Sequence, residues 1–74
     1  MTLEIVAWLL DDLHAELGIG LKPEDRSRLT ANPPQSVEAL CDAILMAEGL
    51  DPERVPDRRQ QIVRRMHYAL VETQ

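Results

Sequence analysis

The sequence is poor in aromatic residues and in cysteine. It contains no Phe, and Trp8 and Tyr68 are its only aromatic side chains. Its single cysteine, Cys41, cannot form a disulfide within the chain. A framework of internal disulfides is therefore excluded, and a reduced, cytoplasmic protein is the simplest interpretation.

The chain also lacks a long apolar run. Its longest uninterrupted apolar stretch, Ile5 to Leu10, is far shorter than the roughly 20 residues that a transmembrane helix needs. The first residues carry Glu4 and no basic side chain before Asp11 and Asp12, which is unlike a signal peptide. We therefore expect neither a membrane span nor a cleaved leader, and no membrane among the partners.

The length of the chain limits how much core it can form. With 74 residues, of which 45% are apolar, it is sized for a single helical domain over residues 1–74 and is too apolar for a disordered segment. A chain this short buries only about 60% of the surface that its unfolded form exposes. Such domains commonly gain stability from disulfides, a metal or a partner. Because internal disulfides are excluded, a partner subunit is the source that we expect.

Basic residues are scarce in the first fifty positions. Residues 1–50 contain nine acidic and three basic side chains, whereas residues 51–74 contain four acidic side chains and five arginines. The whole chain has a formal charge of −5. Net acidity disfavours nucleic acid as the default partner, because phosphate binding needs an excess of positive charge. The arginine-rich C-terminal part leaves nucleic acid open as a less favoured partner.

Helical periodicity dominates the chain, and the alternation typical of β-strands is absent. Helix caps at Thr2 and Ser36, a first-turn proline at Pro23 and a stop at Gly49 delimit the segments. The sequence thus predicts an all-α fold, a small compact bundle of three main helices plus one short helix. The predicted helices run from Leu3 to Leu17, from Pro23 to Ala31 (the short one), from Ser36 to Gly49, and from Pro56 to Glu72.

Each long helix has an apolar stripe that we expect to form the core. The third helix is apolar nearly all round, because Ala39, Ala43, Leu45 and Met46 fall outside its stripe. Such a helix is usually central or lies in an interface. The predicted stripes are Leu3, Val6, Leu10, Leu13 and Leu17, widened by Ile5 and Leu9, in the first helix; Val37, Leu40, Cys41, Ile44 and Ala47 in the third; and Ile62, Val63, Met66, Ala69 and Leu70 in the last.

Trp8 is the most informative candidate for a binding residue. It points away from the leucine stripe of the first helix and shares its side with Asp11 and Asp12. A large aromatic side chain on an acidic helical face is typical of an anchor for a partner. The alternative is that the second helix or the C-terminal segment covers the indole ring.

Arg58, Arg65 and Tyr68 align along one side of the last helix. Arginine beside an aromatic ring can bind an acidic protein surface, or can bind phosphate and stack on a base. The alternative is a solvated helix face. Arg59 lies on the buried side of the first turn, where we expect it to extend to solvent or to pair with an acid from a neighbouring helix. Acidic and arginine-rich faces can neutralise one another within the chain or pair between two chains.

The sequence offers little for catalysis or metal binding. Asp11 with His14, and Asp12 with Glu16, have the spacing of metal ligands on a helix, but the other helices offer no matching set. Cys41 falls on a buried stripe without a basic neighbour, so core packing is expected. No nucleophile with its base, phosphate-binding glycine loop or zinc spacing occurs. We therefore expect no enzyme activity, no metal and no cofactor.

Two short segments resemble known families. Residues 49–55, Gly-Leu-Asp-Pro-Glu-Arg-Val, are similar to the segment after the first helix of acyl carrier proteins. That family needs a phosphopantetheine-bearing serine further on, and no serine follows Ser36. The spacing from Tyr68 to Glu72 resembles the C-terminal signature of actinobacterial type VII secretion substrates, which implies export, but the Trp-x-Gly turn of those substrates is absent. We carry no activity over from either resemblance.

The sequence therefore predicts a non-catalytic protein–protein interaction module, of the accessory, adaptor or immunity type, that acts through helix surfaces. The expected partner is another protein or a second copy of the chain, with homodimerisation through the first or third helix. The alternative is a small nucleic-acid-binding regulator that uses the arginines of the last helix. The candidate partner-binding residues are Trp8, Asp11, Asp12, Arg58, Arg65 and Tyr68.

Overall fold

Four helices make up the computed structural model, which describes residues 1–72 and contains no strand within them. This confirms the prediction of an all-α fold, and the third helix ends slightly before the predicted stop. Over the same residues, none of the helices combines the length and the apolar character needed to cross a membrane. The helices are α1 (Leu3–Leu17), α2 (Pro23–Ala31), α3 (Val37–Ala47) and α4 (Pro56–Glu72).

Side chains cap the N-terminal ends of α1 and α3. The hydroxyl oxygen of Thr2 accepts a hydrogen bond from the N–H of Ile5 at 3.3 Å, and that of Ser36 accepts one from the N–H of Ala39 at 3.1 Å. Each bond satisfies an N–H group that has no partner inside its helix. α2 has no side-chain cap and begins at Pro23, at a position where the missing N–H of proline is not needed.

α3 ends in a Schellman motif built around Gly49. The N–H of Leu50 donates to the carbonyl of Leu45 at 2.9 Å, and the N–H of Gly49 donates to the carbonyl of Met46 at 3.0 Å. Gly49 has a φ of 81°, in the left-handed region that a side chain disfavours. The motif fixes the direction in which the chain leaves α3.

The helices pack as neighbours around a common core. α1 packs against α2 and α4, and α3 also packs against α2 and α4. The resulting globule measures 32 × 25 × 22 Å. α3 is therefore flanked by α2 on one side and by α4 on the other, and its remaining face is open to solvent.

The core is one cluster of apolar side chains from all four helices and the α1–α2 loop. Leu3, predicted to join it, is 51% exposed, because it opens α1 and Val6 is the first stripe residue to reach the core. Leu45, predicted to lie outside the stripe, is fully buried, because packing on two sides widens the buried arc of α3. The core contains Val6, Leu9, Leu10, Leu13, Ile19, Leu29, Val37, Leu40, Cys41, Ile44, Leu45, Ile62, Met66 and Ala69.

Replacing Gly49 by Ala is expected to lower the free energy of unfolding by about 1 kcal/mol, because a side chain is strained at positive φ. An added Cβ would meet nothing within 4 Å there, so the backbone alone causes the loss. Gly20→Ala is the matched control, since Gly20 has no positive φ and its Cβ would only touch His14 at 3.8 Å. Urea unfolding followed by circular dichroism measures both variants. Equal unfolding midpoints for the two would contradict the role given to Gly49.

Candidate interaction surfaces

A two-point ion pair joins α1 to α4. The guanidinium of Arg65 donates from Nε to Oδ2 of Asp12 at 2.9 Å and from Nη2 to Oδ1 at 2.8 Å. Only 24% of the Arg65 side chain and 15% of the Asp12 side chain are exposed. A bidentate pair of this kind fixes the orientation of both groups as well as their distance. Two of the candidate partner-binding residues are therefore engaged with each other within the chain.

Arg65 also gathers other side chains around it. Its guanidinium carbon lies 5.1 Å from the centre of the Tyr68 ring, within the range of a cation–π contact. Its Nη2 lies 3.7 Å from a carboxylate oxygen of Glu16. The hydroxyl of Tyr68 donates to Glu72 at 2.9 Å. Tyr68 remains 54% exposed, so it presents open aromatic surface beside a positive charge that is held in place.

These contacts shift the pKa of three side chains. The hydrogen bonds from Arg65 hold the pKa of Asp12 below its usual value, and the same bonds raise the pKa of Arg65. The hydrogen bond to Glu72 raises the pKa of Tyr68, because it favours the protonated phenol. At neutral pH, Asp12 and Arg65 are therefore charged and Tyr68 is neutral.

Two further ion pairs join neighbouring helices. Arg26 of α2 lies 3.0 Å from Asp11, and its guanidinium also donates to the carbonyl of Ala7 at 3.3 Å. Arg59 of α4 donates to Asp42 of α3 at 2.7 Å, and this hydrogen bond raises the pKa of Arg59. The prediction that Arg59 pairs with an acid from a neighbouring helix is confirmed. Acidic and basic faces thus neutralise one another within the chain at three helix junctions.

Trp8 lies on α1 at one turn from both ion-paired aspartates. It precedes Asp11 by three residues and Asp12 by four, so the three side chains share one side of the helix. The indole is 38% exposed, so it is neither enclosed in the core nor fully open. It offers a partial apolar surface flanked by charges that other helices hold in place.

Arg58 stands apart from these contacts. It lies two turns before Arg65 on α4, and its Nη1 donates to the side-chain oxygen of Gln61 at 3.0 Å. The structure therefore brings Asp12, Arg65 and Tyr68 together and leaves Arg58 outside that group. A role in partner binding stays a prediction for each of the six candidate residues.

The solvent-facing side of α3 is an apolar surface that the six candidates did not include. Met46 is 67% exposed, and Ala43 and Ala39 lie one and two turns before it on the same side of the helix. We refer to these three residues as the α3 face. Beside Met46 runs a groove of about 340 Å³. This α2–α3 groove is lined by Arg28, Leu29, Ala43, Met46 and Ala47.

The apolar composition of α3 already contained the signal for this face. A helix that packs on one side needs a single apolar arc, so α3 has more apolar residues than one packed side requires. The pattern could not show which of them a second neighbouring helix would cover. The structure buries Leu45 completely and leaves Met46 67% exposed.

The described residues hold little reactive chemistry. Within residues 1–72, no group of three or more His, Cys, Asp or Glu side chains is placed to hold a metal ion. Cys41 is fully buried, and burial raises the pKa of its thiol to about 11, so the thiol is protonated at neutral pH. His14 lines a smaller groove of about 170 Å³ at α1, and its Nδ1 lies 3.2 Å from the carbonyl oxygen of Ile19. Both side chains thus serve structural contacts.

The chain matches no known protein family, and no characterised protein and no solved structure matches it. Two surfaces of the described chain are the candidates for its function. One is the apolar α3 face, and the other is the charged side of α1 that carries Trp8.

Asp12→Asn is expected to destabilise the protein more at neutral pH than in acid. Because Arg65 lowers the pKa of Asp12 in the folded state, the carboxylate stabilises the fold fully above its ordinary value of 3.8. That stability is lost as the pH falls through the lower folded-state value. The difference in unfolding free energy between wild type and variant should therefore shrink below about pH 4.

The matched control for this experiment is Glu53→Gln, which removes the same charge from an exposed residue outside the helices. Its effect should be small and nearly independent of pH. Urea titrations at a series of pH values compare the variants. If Asp12→Asn and Glu53→Gln behave alike at pH 7, the ion pair does not stabilise the fold.

Proposed function

We propose that the protein is a non-catalytic protein–protein interaction module that acts through its helix surfaces. The α3 face supports this most directly, because Met46 leaves 67% of its surface in water next to an open groove. Covering apolar surface releases about 25 cal/mol per Å², so a partner that covers this face gains affinity. Contiguous exposed apolar surface is typical of binding sites.

The α1–α4 side supports the same function with different chemistry. Trp, Tyr and Arg are the residue types enriched where binding energy concentrates, and Trp8, Tyr68 and Arg65 are all on this side. Asp12 already fixes the orientation of Arg65, so the Arg65 side chain loses little additional conformational entropy when a partner contacts its guanidinium. This side is suited to a partner that presents apolar groups to Trp8 and Tyr68.

The proposal extends to the architecture and the compartment. We take α1, α3 and α4 as the main helices of the bundle and the nine-residue α2 as an accessory helix that forms one wall of the groove. A small accessory, adaptor or immunity-type protein is the class that fits this size. The free, buried thiol of Cys41 is compatible with the reducing conditions of the cytoplasm.

The alternative function, a nucleic-acid-binding regulator that uses the last helix, has less support. Arg59 and Arg65 are held by carboxylates of neighbouring helices, which phosphate groups would have to displace. Arg64 is exposed, and Arg58 donates to Gln61 of its own helix. The remaining arginines of the last helix, on a chain of net charge −5, provide little phosphate affinity.

The purified protein is accordingly expected to pass through a heparin column without retention at low salt. Arg64→Gln should leave its elution unchanged, because no phosphate contact exists to be lost. A small basic protein on the same column shows that the resin is active. Retention that weakens with added salt and disappears in Arg64→Gln would instead favour the nucleic-acid function.

Affinity capture from an extract of the source cells tests the proposed function. Met46→Gln removes apolar surface from the α3 face and should reduce capture of a specific partner by roughly tenfold. Trp8→Ala tests the α1 side in the same way. Val71→Gln is the matched control, because Val71 is 74% exposed but lies on α4, outside both surfaces. Circular dichroism establishes that each variant keeps its helices, and capture that is equal for all of them contradicts the proposal.

A further inference from the structure

We propose that the α3 face pairs with the α3 face of a second copy, so that Met46 of each copy fills the α2–α3 groove of the other. This inference rests on the proposed function and names the partner of that surface. It follows from the shape of the face and from the charges at its two edges.

The shape of the face is self-complementary. Met46 is the exposed large apolar side chain of α3, and it also forms one wall of the groove. The other walls are Arg28 and Leu29 of α2 together with two alanines of α3, so the groove lies on the α2 side of Met46. A protruding side chain next to a groove suits a two-fold symmetric interface, because a single rotation can place Met46 of each copy in the groove of the other copy.

The position of the groove selects the symmetry axis. A two-fold axis parallel to α3 exchanges the two edges of the face, so Met46 of each copy comes to lie over the groove of the other. An axis that crosses α3 at right angles keeps each edge on its own side. It would stack one Met46 against the other and leave both grooves empty. The parallel arrangement of the two α3 helices is therefore the one that fills the grooves.

The charges at the edges favour the same axis. The α2 edge carries Arg28, whose side chain is 68% exposed and pairs with Asp25 of the same helix. The α4 edge carries Asp42, which pairs with Arg59, and Glu38, which lies 3.6 Å from Nε2 of His67. The contact between Glu38 and His67 is an ion pair only when the imidazole is protonated. The parallel arrangement brings the exposed guanidinium of Arg28 in each copy to the edge of the other that carries Asp42 and Glu38, whereas the perpendicular axis would bring Arg28 against Arg28.

The small residues of the face allow a close approach. Ala39 and Ala43 lie one turn apart on the same side as Met46, which leaves room for the backbones of two α3 helices to come together. Each copy has a net charge of −5, which opposes association at long range. At physiological salt the Debye length is about 8 Å, so charges far from the face are screened. The charges at its edges and the apolar contact then mainly determine whether two copies associate.

Size-exclusion chromatography with light scattering tests the pairing at physiological salt and at protein concentrations up to high micromolar. The wild type should approach twice the chain mass of 8.4 kDa as the concentration rises. Met46→Gln should raise the dissociation constant at least tenfold, and Val71→Gln should leave it unchanged. A dimer that Met46→Gln does not weaken would overturn the proposal.

Cross-linking through an introduced cysteine tests the axis. With parallel α3 helices, position 39 of one copy lies against position 39 of the other, so Ala39→Cys should form an intermolecular disulfide under mild oxidation. Val71→Cys is the control for random collision, and the native thiol of Cys41 is buried in both variants. Equal cross-linking of the two variants would overturn the parallel arrangement.

The two proposals can fail separately. If the protein stays monomeric at high micromolar concentration while capture of a different protein depends on Met46, the pairing is wrong and the interaction function stands. If the protein stays monomeric and capture is also indifferent to Met46, both proposals fail. Met46 is on the surface, so the helical circular dichroism signal of Met46→Gln should match that of the wild type in every case.

Discussion

The ion pair between Asp12 and Arg65 is the interaction on which the arrangement of the surface depends. It links the two longest helices, α1 and α4, through two parallel hydrogen bonds in a partly buried setting. Through Arg65 it also places a positive charge 5.1 Å from the centre of the Tyr68 ring. Through Asp12 it fixes the side of α1 that carries Trp8. Apolar burial holds the four helices together, but it is non-directional, so polar contacts of this kind define which faces meet.

Packing on two sides explains why α3 has both a complete core arc and an apolar outer face. α2 and α4 cover its flanks, which takes Leu45 into the core, and no helix of the described chain covers Met46. In a chain this short, apolar residues are needed for the core, so an apolar side chain left in water does not contribute to the stability of the fold. Most of the acidic and basic residues around the same helix pair within the chain, whereas the apolar surface of Met46 stays open.

Local signals made the helices predictable. Thr2, Ser36 and Gly49 act through bonds to residues a few positions away, so the sequence around them contains the whole interaction. The pairing of Asp12 with Arg65 spans 53 positions and depends on how α1 and α4 pack, which periodicity does not encode. The same reason left the choice between Leu45 and Met46 open. The residue types of the candidate site could therefore be predicted, and their grouping could not.

The burial of Cys41 has a consequence for how the motions of the molecule can be followed. Its sulfur lies in the junction between α3 and α4, with the thiol directed at the carbonyl of Arg59 at 3.6 Å. As the sole thiol of the chain it meets a dissolved alkylating reagent only when that junction opens. The labelling rate of the native sequence therefore reports the frequency of one particular opening event, without any added probe.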